Sequence, residues 1–434
     1  MSELAGNLEG SVLVIGGGIA GIQTSLDLTE LGFKVYLVEK KSTIGGAMAK
    51  LDKTFPTLDC SLCILAPKMV EVYRNPNIEL LTYSEVRNIE GKPGNYKISV
   101  EKKPRYVKED TCKGCGDCAV ICPVKGVPHG FDVNLKSHSA VHISFPSAVP
   151  PVYLIDDKKC LHLNYGICGL CQQACSADAI DFSQEPENIE FNVGAIVIAT
   201  GWIQDLPDKY PNLAGENPNV VSSMQFERLL SANGPTGGQV IRLDDKKHPH
   251  KIGFIQCVCS RNFHEPECKK YCSSICCMAA AKQAIVTAEH APDTELMIFN
   301  TEIRAKGKNF YEFIEKSKDE YGVKFINGRV SKIEENLENG KLNVFFEDLD
   351  EGFVKTLDLD MAVIASALYP NQDYYEFLNS LDADVNEMDY ISEASLKELE
   401  EKNIFFTGYA KDPKDIPVSV AEGSSCAAKI SEKL

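Results

Sequence analysis

The chain has 434 residues, 44% hydrophobic and 25% charged, an ordinary globular composition with room for two or three domains. Its 45 basic and 62 acidic side chains leave a net charge of −17, which disfavours nucleic acid and anionic membrane surfaces as partners. No apolar run approaches the roughly 20 residues of a spanning helix. Met1-Ser-Glu-Leu-Ala-Gly6 lacks the basic start and apolar core of an export signal, so a cytoplasmic protein is expected. Seventeen cysteines in a large acidic chain then point to metal rather than to disulfides.

In chain order, the first strand, Val12-Leu-Val-Ile15, runs straight into Gly16-Gly-Gly18-Ile-Ala-Gly21. A helix pattern covers Ile22 to Leu31, and a second strand from Lys34 to Val38 ends at Glu39. The glycines let the backbone approach a pyrophosphate at the helix N-terminus. Glu39 lies 18 residues after Gly21, about where a carboxylate meets the ribose. The bland alternative is a glycine-rich turn on an α/β sheet; strand, helix and acid in register favour a dinucleotide. Gly45-Gly46 follows, and then Cys60-Ser-Leu-Cys63.

Residues 104–180 interrupt this pattern. Cys112, Cys115, Cys118 and Cys122, followed by Pro123, have the spacing that wraps a [4Fe–4S] cluster. Cys160, Cys168, Cys171 and Cys175 form a second set with a stretched first gap. In paired-cluster ferredoxins the fourth cysteine of each run serves the other cluster. Cys112, Cys115, Cys118 and Cys175 are therefore assigned to one cluster, and Cys160, Cys168, Cys171 and Cys122 to the other. Structural zinc is the alternative for such knots, but zinc carries no electrons. An apolar strand pattern resumes at Gly194-Ala-Ile-Val-Ile-Ala-Thr200-Gly201. Another strand, Lys251-Ile-Gly-Phe-Ile-Gln256, leads into Cys257-Val-Cys259-Ser-Arg261 rather than a glycine loop. Cys257, Cys272, Cys276 and Cys277 could supply four thiolates to a metal site, or be buried structural thiols. Cys259, Cys268 and Cys426 read as free thiols.

The N-terminal glycine motif, Gly45-Gly46 and Thr200-Gly201 together resemble the two-dinucleotide-binding flavoproteins. That family has a Rossmann-type α/β fold like that of thioredoxin and glutathione reductases, and there these segments hold FAD. Thr407-Gly408-Tyr409 resembles its last FAD-contacting strand. Gly16, Gly18, Gly21, Glu39, Gly45, Gly46, Thr200, Gly201 and Gly408 are the implied FAD contacts. Such proteins carry a second Rossmann unit for NAD(P)H, and here its phosphate loop is missing. Disulfide reductases of this fold place a redox cysteine pair near the stretch of Cys60 and Cys63. Those two are read as thiols beside the flavin, as ligands of a further metal, or as inert.

A narrower resemblance runs nearly end to end, to the A-type flavin subunits of heterodisulfide reductases. It is carried by Thr54-Phe-Pro…Asp59-Cys60, Pro104-Arg-Tyr-Val107, Phe145-Pro-Ser-Ala-Val-Pro150, Phe254-Ile-Gln-Cys257, Tyr271-Cys-Ser273…Cys276-Cys-Met278 and Lys414-Asp-Ile-Pro417. The resemblance implies FAD, an inserted α+β ferredoxin domain, and a third cluster on Cys257, Cys272, Cys276 and Cys277. It also implies that Lys282 lies near the flavin N5; without it, Lys282 reads as an exposed helix lysine. Longer members carry an N-terminal cluster domain and a C-terminal ferredoxin, which this sequence is expected to lack. Cys259 stands where the family usually has glycine. The expected division is an FAD domain at 1–103, 181–245 and 361–434, a ferredoxin insert at 104–180, and a degenerate nucleotide fold at 246–360. The expected function is electron transfer, with pair splitting between two routes, in an anaerobic host. The partners implied are cluster-bearing B- and C-type subunits, a hydrogenase- or dehydrogenase-linked donor and possibly ferredoxin, with a homodimer inside the larger assembly. A non-splitting relay and an NAD(P)H-dependent disulfide reductase using Cys60 and Cys63 are the alternatives.

Overall fold

The computed structural model describes residues 10–434; the reading of Met1–Gly6 lies outside the described residues. Five parallel strands form the first sheet, in the order Ile404–Phe406, Ala195–Ile198, Ser11–Ile15, Lys34–Glu39, Ile78–Thr82. Ser11–Ile15 and Ala195–Ile198 are buried at every position, as continuous apolar runs must be when both faces of a parallel sheet are covered. One face packs against helices Ile19–Glu30, Ser61–Arg74 and Ile416–Ser431 through Ile22, Leu26, Leu65, Met69, Ala427 and Ile430. Burying each such aliphatic chain contributes about 1.5–3 kcal/mol. The other face is covered by Tyr96, Ile98 and Val100 of a three-stranded antiparallel sheet, with Tyr374, Leu378 and Leu399.

The cysteine-rich segment leaves that antiparallel sheet from its central strand and returns into an outer one. Strand Asn95–Lys102 pairs with Glu187–Val193, with Lys102 opposite Glu187, and Val107 bridges Ile180. Arg105, 2% exposed, roots the segment: its Nη2 donates to Ser42 O at 2.8 Å and Thr82 Oγ1 at 2.6 Å. Farther out, Arg228 Nε donates to buried Asp132 at 2.8 Å, and its Nη1 to Lys50 O at 3.0 Å. One guanidinium thus ties three parts of the chain together.

The second sheet has seven strands, in the order Val220–Ser222, Met361–Ser366, Lys251–Val258, Glu295–Asn300, Lys324–Asn336, Lys341–Asp348, Phe353–Leu359. This corrects the expected division at 245/246 and 360/361. Val220–Ser222 and Met361–Ser366 belong to the second sheet, not to the first. Met361–Ser366 is buried at all six positions between two parallel neighbours, and an apolar run carries no mark of which sheet it joins. Helix Cys276–His290 lies on this sheet, with Met278, Ala281 and Ile285 against Ile252, Phe254 and Ile298. Among the described residues no helix is long and apolar enough to cross a membrane.

Candidate functional site

A cavity of about 740 Å³ opens between the two sheets, within the usual range for cofactor pockets. Gly16, Gly18, Glu39, Gly46, Thr200, Gly201 and Lys282 line it. Gly21, Gly45 and Gly408 stand behind the wall. A Cβ on Gly21 would fall 2.0 Å from Gly16 O, so only glycine lets the helix start this close to the strand. Helix Ile19–Glu30 begins after Gly18 with no side-chain cap, leaving its first N–H groups for an anion. Glu39 Oε2 accepts from Gly17 N at 2.8 Å, and Oε1 from Lys41 N at 2.8 Å. Thr200 and Thr407 both line the cavity, and their buried hydroxyls have no protein partner. A largely apolar cavity with a glycine floor and an uncapped helix N-terminus fits a dinucleotide such as FAD.

Lys282 is 2% exposed, which overturns its reading as a surface lysine. Its Nζ pairs with Glu227, also 2% exposed, and both line the cavity. Glu227 Oε1 further accepts from Gln283 Nε2 at 2.7 Å, and Oε2 from Asp52 N at 3.1 Å. Burial, and then the Glu227 charge, raise the Asp52 carboxyl above its ordinary pKa. The ammonium is therefore held at the cavity wall by a fully bonded carboxylate. Glu227 was missed in the sequence. The one local signal was the Ser222…Gln225 capping box that opens its helix.

The third thiol set surrounds the start of helix Cys276–His290. Cys257 breaks the register of its strand and sits at φ +58°, a backbone that side chains rarely adopt. Cys277 Sγ approaches Glu302 O at 3.9 Å, and Cys272 Sγ accepts from Ser274 N at 3.4 Å. Burial pushes the Cys277 thiol up to about 11 and raises Cys257 and Cys276 as well, each further raised by neighbouring thiols of the set. Their mutual influence means that the sulfurs lie near one another, and a gathered set of four cysteines fits an iron–sulfur cluster. Cys276 keeps some accessible surface because it faces the cavity. One thiol thus belongs both to the third set and to the cavity wall. Cys259 and Cys268 form a disulfide, with Cα atoms 4.6 Å apart. This corrects their reading as free thiols: bridge Ser260↔Lys269 and the bond Lys269 N to Cys259 O at 3.0 Å fold the loop back on itself. Cys426 is an unpaired, buried thiol.

In the insert, helices Asp117–Ile121 and Leu170–Ala174 pack together and bury Cys118, Cys122, Cys160 and Cys171 in one small core. Cys115 and Cys168 are exposed. Helix Leu161–Tyr165, ended by left-handed Gly166, takes up the stretched gap to Cys168. Burial pushes the Cys171 thiol up to about 11, with charge from Cys160, Cys122 and Cys168 adding to it. Burial likewise pushes Cys118 up to about 12, with Cys112, Cys115 and Cys171 contributing. Among the described residues no three thiol, imidazole or carboxylate groups converge as a single-ion site. A four-iron cube is wider than one ion and holds its thiolates farther apart.

Cys60 and Cys63 form the second disulfide. Both are exposed, and neither lines the cavity; Ile64, one residue on, does. Cys60 instead caps helix Ser61–Arg74, accepting from Cys63 N at 3.2 Å. This placement counts against the first of the three readings of the pair, thiols beside the flavin.

A family model of the pyridine nucleotide-disulphide oxidoreductases matches residues 10–423, and the chain belongs to that family of oxidoreductases. Two crystal structures share the fold at 14% identity and TM-score 0.52, the thioredoxin reductases of T. acidophilum and Lactococcus lactis, each covering 98% of this chain and 99% of the other. Within the family, the sequence is similar to the A-type subunits of heterodisulfide reductases. It is 44% identical over 426 residues to the A-type iron–sulfur subunit of the CoB–CoM heterodisulfide reductase of Methanocaldococcus jannaschii, covering 97% of this chain and 64% of the relative. It is 43% identical over 428 residues to the A-type subunit of the H2:CoB–CoM heterodisulfide,ferredoxin reductase of Methanothermobacter thermautotrophicus, covering 98% and 64%. The chain therefore spans a little under two thirds of the length of these relatives.

Proposed function

We propose that the chain is the FAD- and iron–sulfur-dependent electron-transfer subunit of a cytoplasmic heterodisulfide-reductase-like complex, and that it splits electron pairs between two routes. The observation that carries this reading is Cys276, a thiol of the third set that also walls the dinucleotide cavity. Bound FAD supplies conversion between paired and single electrons, and three [4Fe–4S] clusters carry electrons singly. Gly16, Gly18, Gly46, Thr200 and Gly201 would cradle the dinucleotide, with Glu39 toward its ribose. Lys282 would hold a positive charge beside the flavin, kept in place by Glu227. Cys257, Cys272, Cys276 and Cys277 would hold the near cluster, and the eight insert cysteines the other two, with Cys175 and Cys122 exchanged between runs.

Exposed Cys115 and Cys168, with exposed Val120 and Ile167 nearby, support an exit through the insert to a partner. Ferredoxin, B- and C-type subunits, and a hydrogenase- or dehydrogenase-linked donor are the partner classes proposed, around a homodimer. The second reading, an NAD(P)H-dependent disulfide reductase, is weakened by the placement of Cys60 and Cys63 and by the bulky Cys257–Arg261 turn. Under anaerobic conditions, NADH and NADPH are expected to leave the flavin absorbance unchanged, while a reduced low-potential ferredoxin bleaches it. A redox titration is expected to show crossed flavin potentials, the second electron leaving more readily than the first. Bleaching by NAD(P)H would favour the disulfide reductase, and ordered potentials the plain relay.

A further inference from the structure

We propose that the Gln256 carboxamide donates a hydrogen bond to the thiolate-held centre at Cys257, Cys272, Cys276 and Cys277, and so raises its reduction potential. The inference rests on the reading of those four cysteines as cluster ligands. Gln256 is 7% exposed, yet neither its Nε2 nor its Oε1 has a partner. Buried polar groups without partners are rare in folded proteins, and each calls for a ligand, ion or water. The position of Gln256 in the sheet says which.

Side chains along a strand alternate between faces. In strand Lys251–Val258, Ile252 and Phe254 pack with Met278, Ala281 and Ile285 of helix Cys276–His290. Ile255 packs on the opposite face with Leu342 and Val344. The register shifts between Ile255 and Val258, which share that opposite face, so Gln256 and Cys257 together take the one place that a regular strand would give the helix-facing row. Gln256 stands at the carboxyl end of the strand, where ligands of open α/β sheets bind, below the first turn that carries Cys276 and Cys277. On the neighbouring strand, Leu296 and Ile298 face the helix in the same way, and the next residue in that row is Asn300. Asn300 Oδ1 is also buried without a partner. On the other side, Met361 and Val363 face the helix, and Ala365 continues their row into the wall of the flavin cavity. The edge Asn300–Gln256–Ala365 therefore runs under the third thiol set, from the Glu302 carbonyl that meets Cys277 to the cavity. The chain offers Gln256 no acceptor there, whereas cluster sulfurs and thiolates are anionic acceptors. A donor to them stabilises the more negative, reduced state.

The test compares the full chain with Gln256→Leu and Gln256→Glu, all purified without oxygen, by EPR-monitored redox titration in H2O and D2O. In Q256L the third centre is expected to become about tenfold harder to reduce, equivalent to 59 mV for one electron. One exchangeable deuteron coupling to that centre is expected to be lost, leaving that of the Ser274 amide at Cys272, with iron, FAD and the other two potentials unchanged. Q256E, which keeps size and shape, is expected to shift the potential further the same way, because its charge opposes the added electron. An iron-replete Q256L with wild-type potential and coupling would overturn the proposal, an ordered water then being the partner of Gln256. Should Q256L lose iron, an unshifted Q256E would overturn it instead. A wild-type chain with about eight irons and no third signal is a different outcome: it would remove the cluster assignment itself and the proposal with it.

Discussion

Replacing Lys282 with methionine is expected to cost about 3–5 kcal/mol of stability and to make the flavin harder to reduce. Methionine has nearly the same length, so the loss is of charge rather than packing. It would strand the Glu227 carboxylate, 2% exposed and otherwise met by only Gln283 Nε2 and the Asp52 amide. An uncompensated buried charge is among the costliest single defects in a folded chain. The double variant K282M/E227Q is expected to recover most of that stability, since glutamine keeps an acceptor and sheds the charge. The flavin effect should recover only in part, because E227Q removes the stranded negative charge while the positive charge at the cavity wall stays lost. Denaturation midpoints and flavin potentials of the three proteins separate the two roles. Full recovery of the potential in the double variant would show that Lys282 acts only through Glu227.

The next largest effect is expected at the third thiol set. Cys276→Ser and Cys277→Ser should each lower iron by about four atoms per chain while FAD stays bound. Only C276S should also shift the flavin absorption and potential, because Cys276 lines the flavin cavity and Cys277 does not. A serine hydroxyl is far harder to ionise than a thiol and is a poor match for iron. Equal flavin shifts in both variants would mean that cluster loss alone perturbs the flavin. No loss of iron in either would remove the third centre.

The sequence carried the flavin side well, since strand, glycines, helix and acid lie within one contiguous stretch, Val12 to Glu39. The insert's cysteine pattern was equally plain, because the four thiols of Cys112–Cys122 that are proposed as cluster ligands are spaced locally. What it hid depended on distant partners. Lys282 sits in an alanine-rich helix whose pattern shows no polar face, and its partner Glu227 is 55 residues away. Cys259 looked like a free thiol because its partner lies across a loop that closes only when Ser260 bridges Lys269. Its φ of +52° is the backbone that a glycine adopts at no cost. Gln256 read as one residue of an apolar strand. Its orphaned ends emerge only when the strand faces are known.

The central claim is that thiolate-held iron has taken the place of pyridine nucleotide beside the flavin. Iron, sulfide and flavin counted per chain after oxygen-free purification test it most directly. Twelve assigned cysteines at four per cluster predict about twelve irons, about twelve sulfides and about one FAD. About eight irons, with NAD(P) retained beside Cys257, would contradict it.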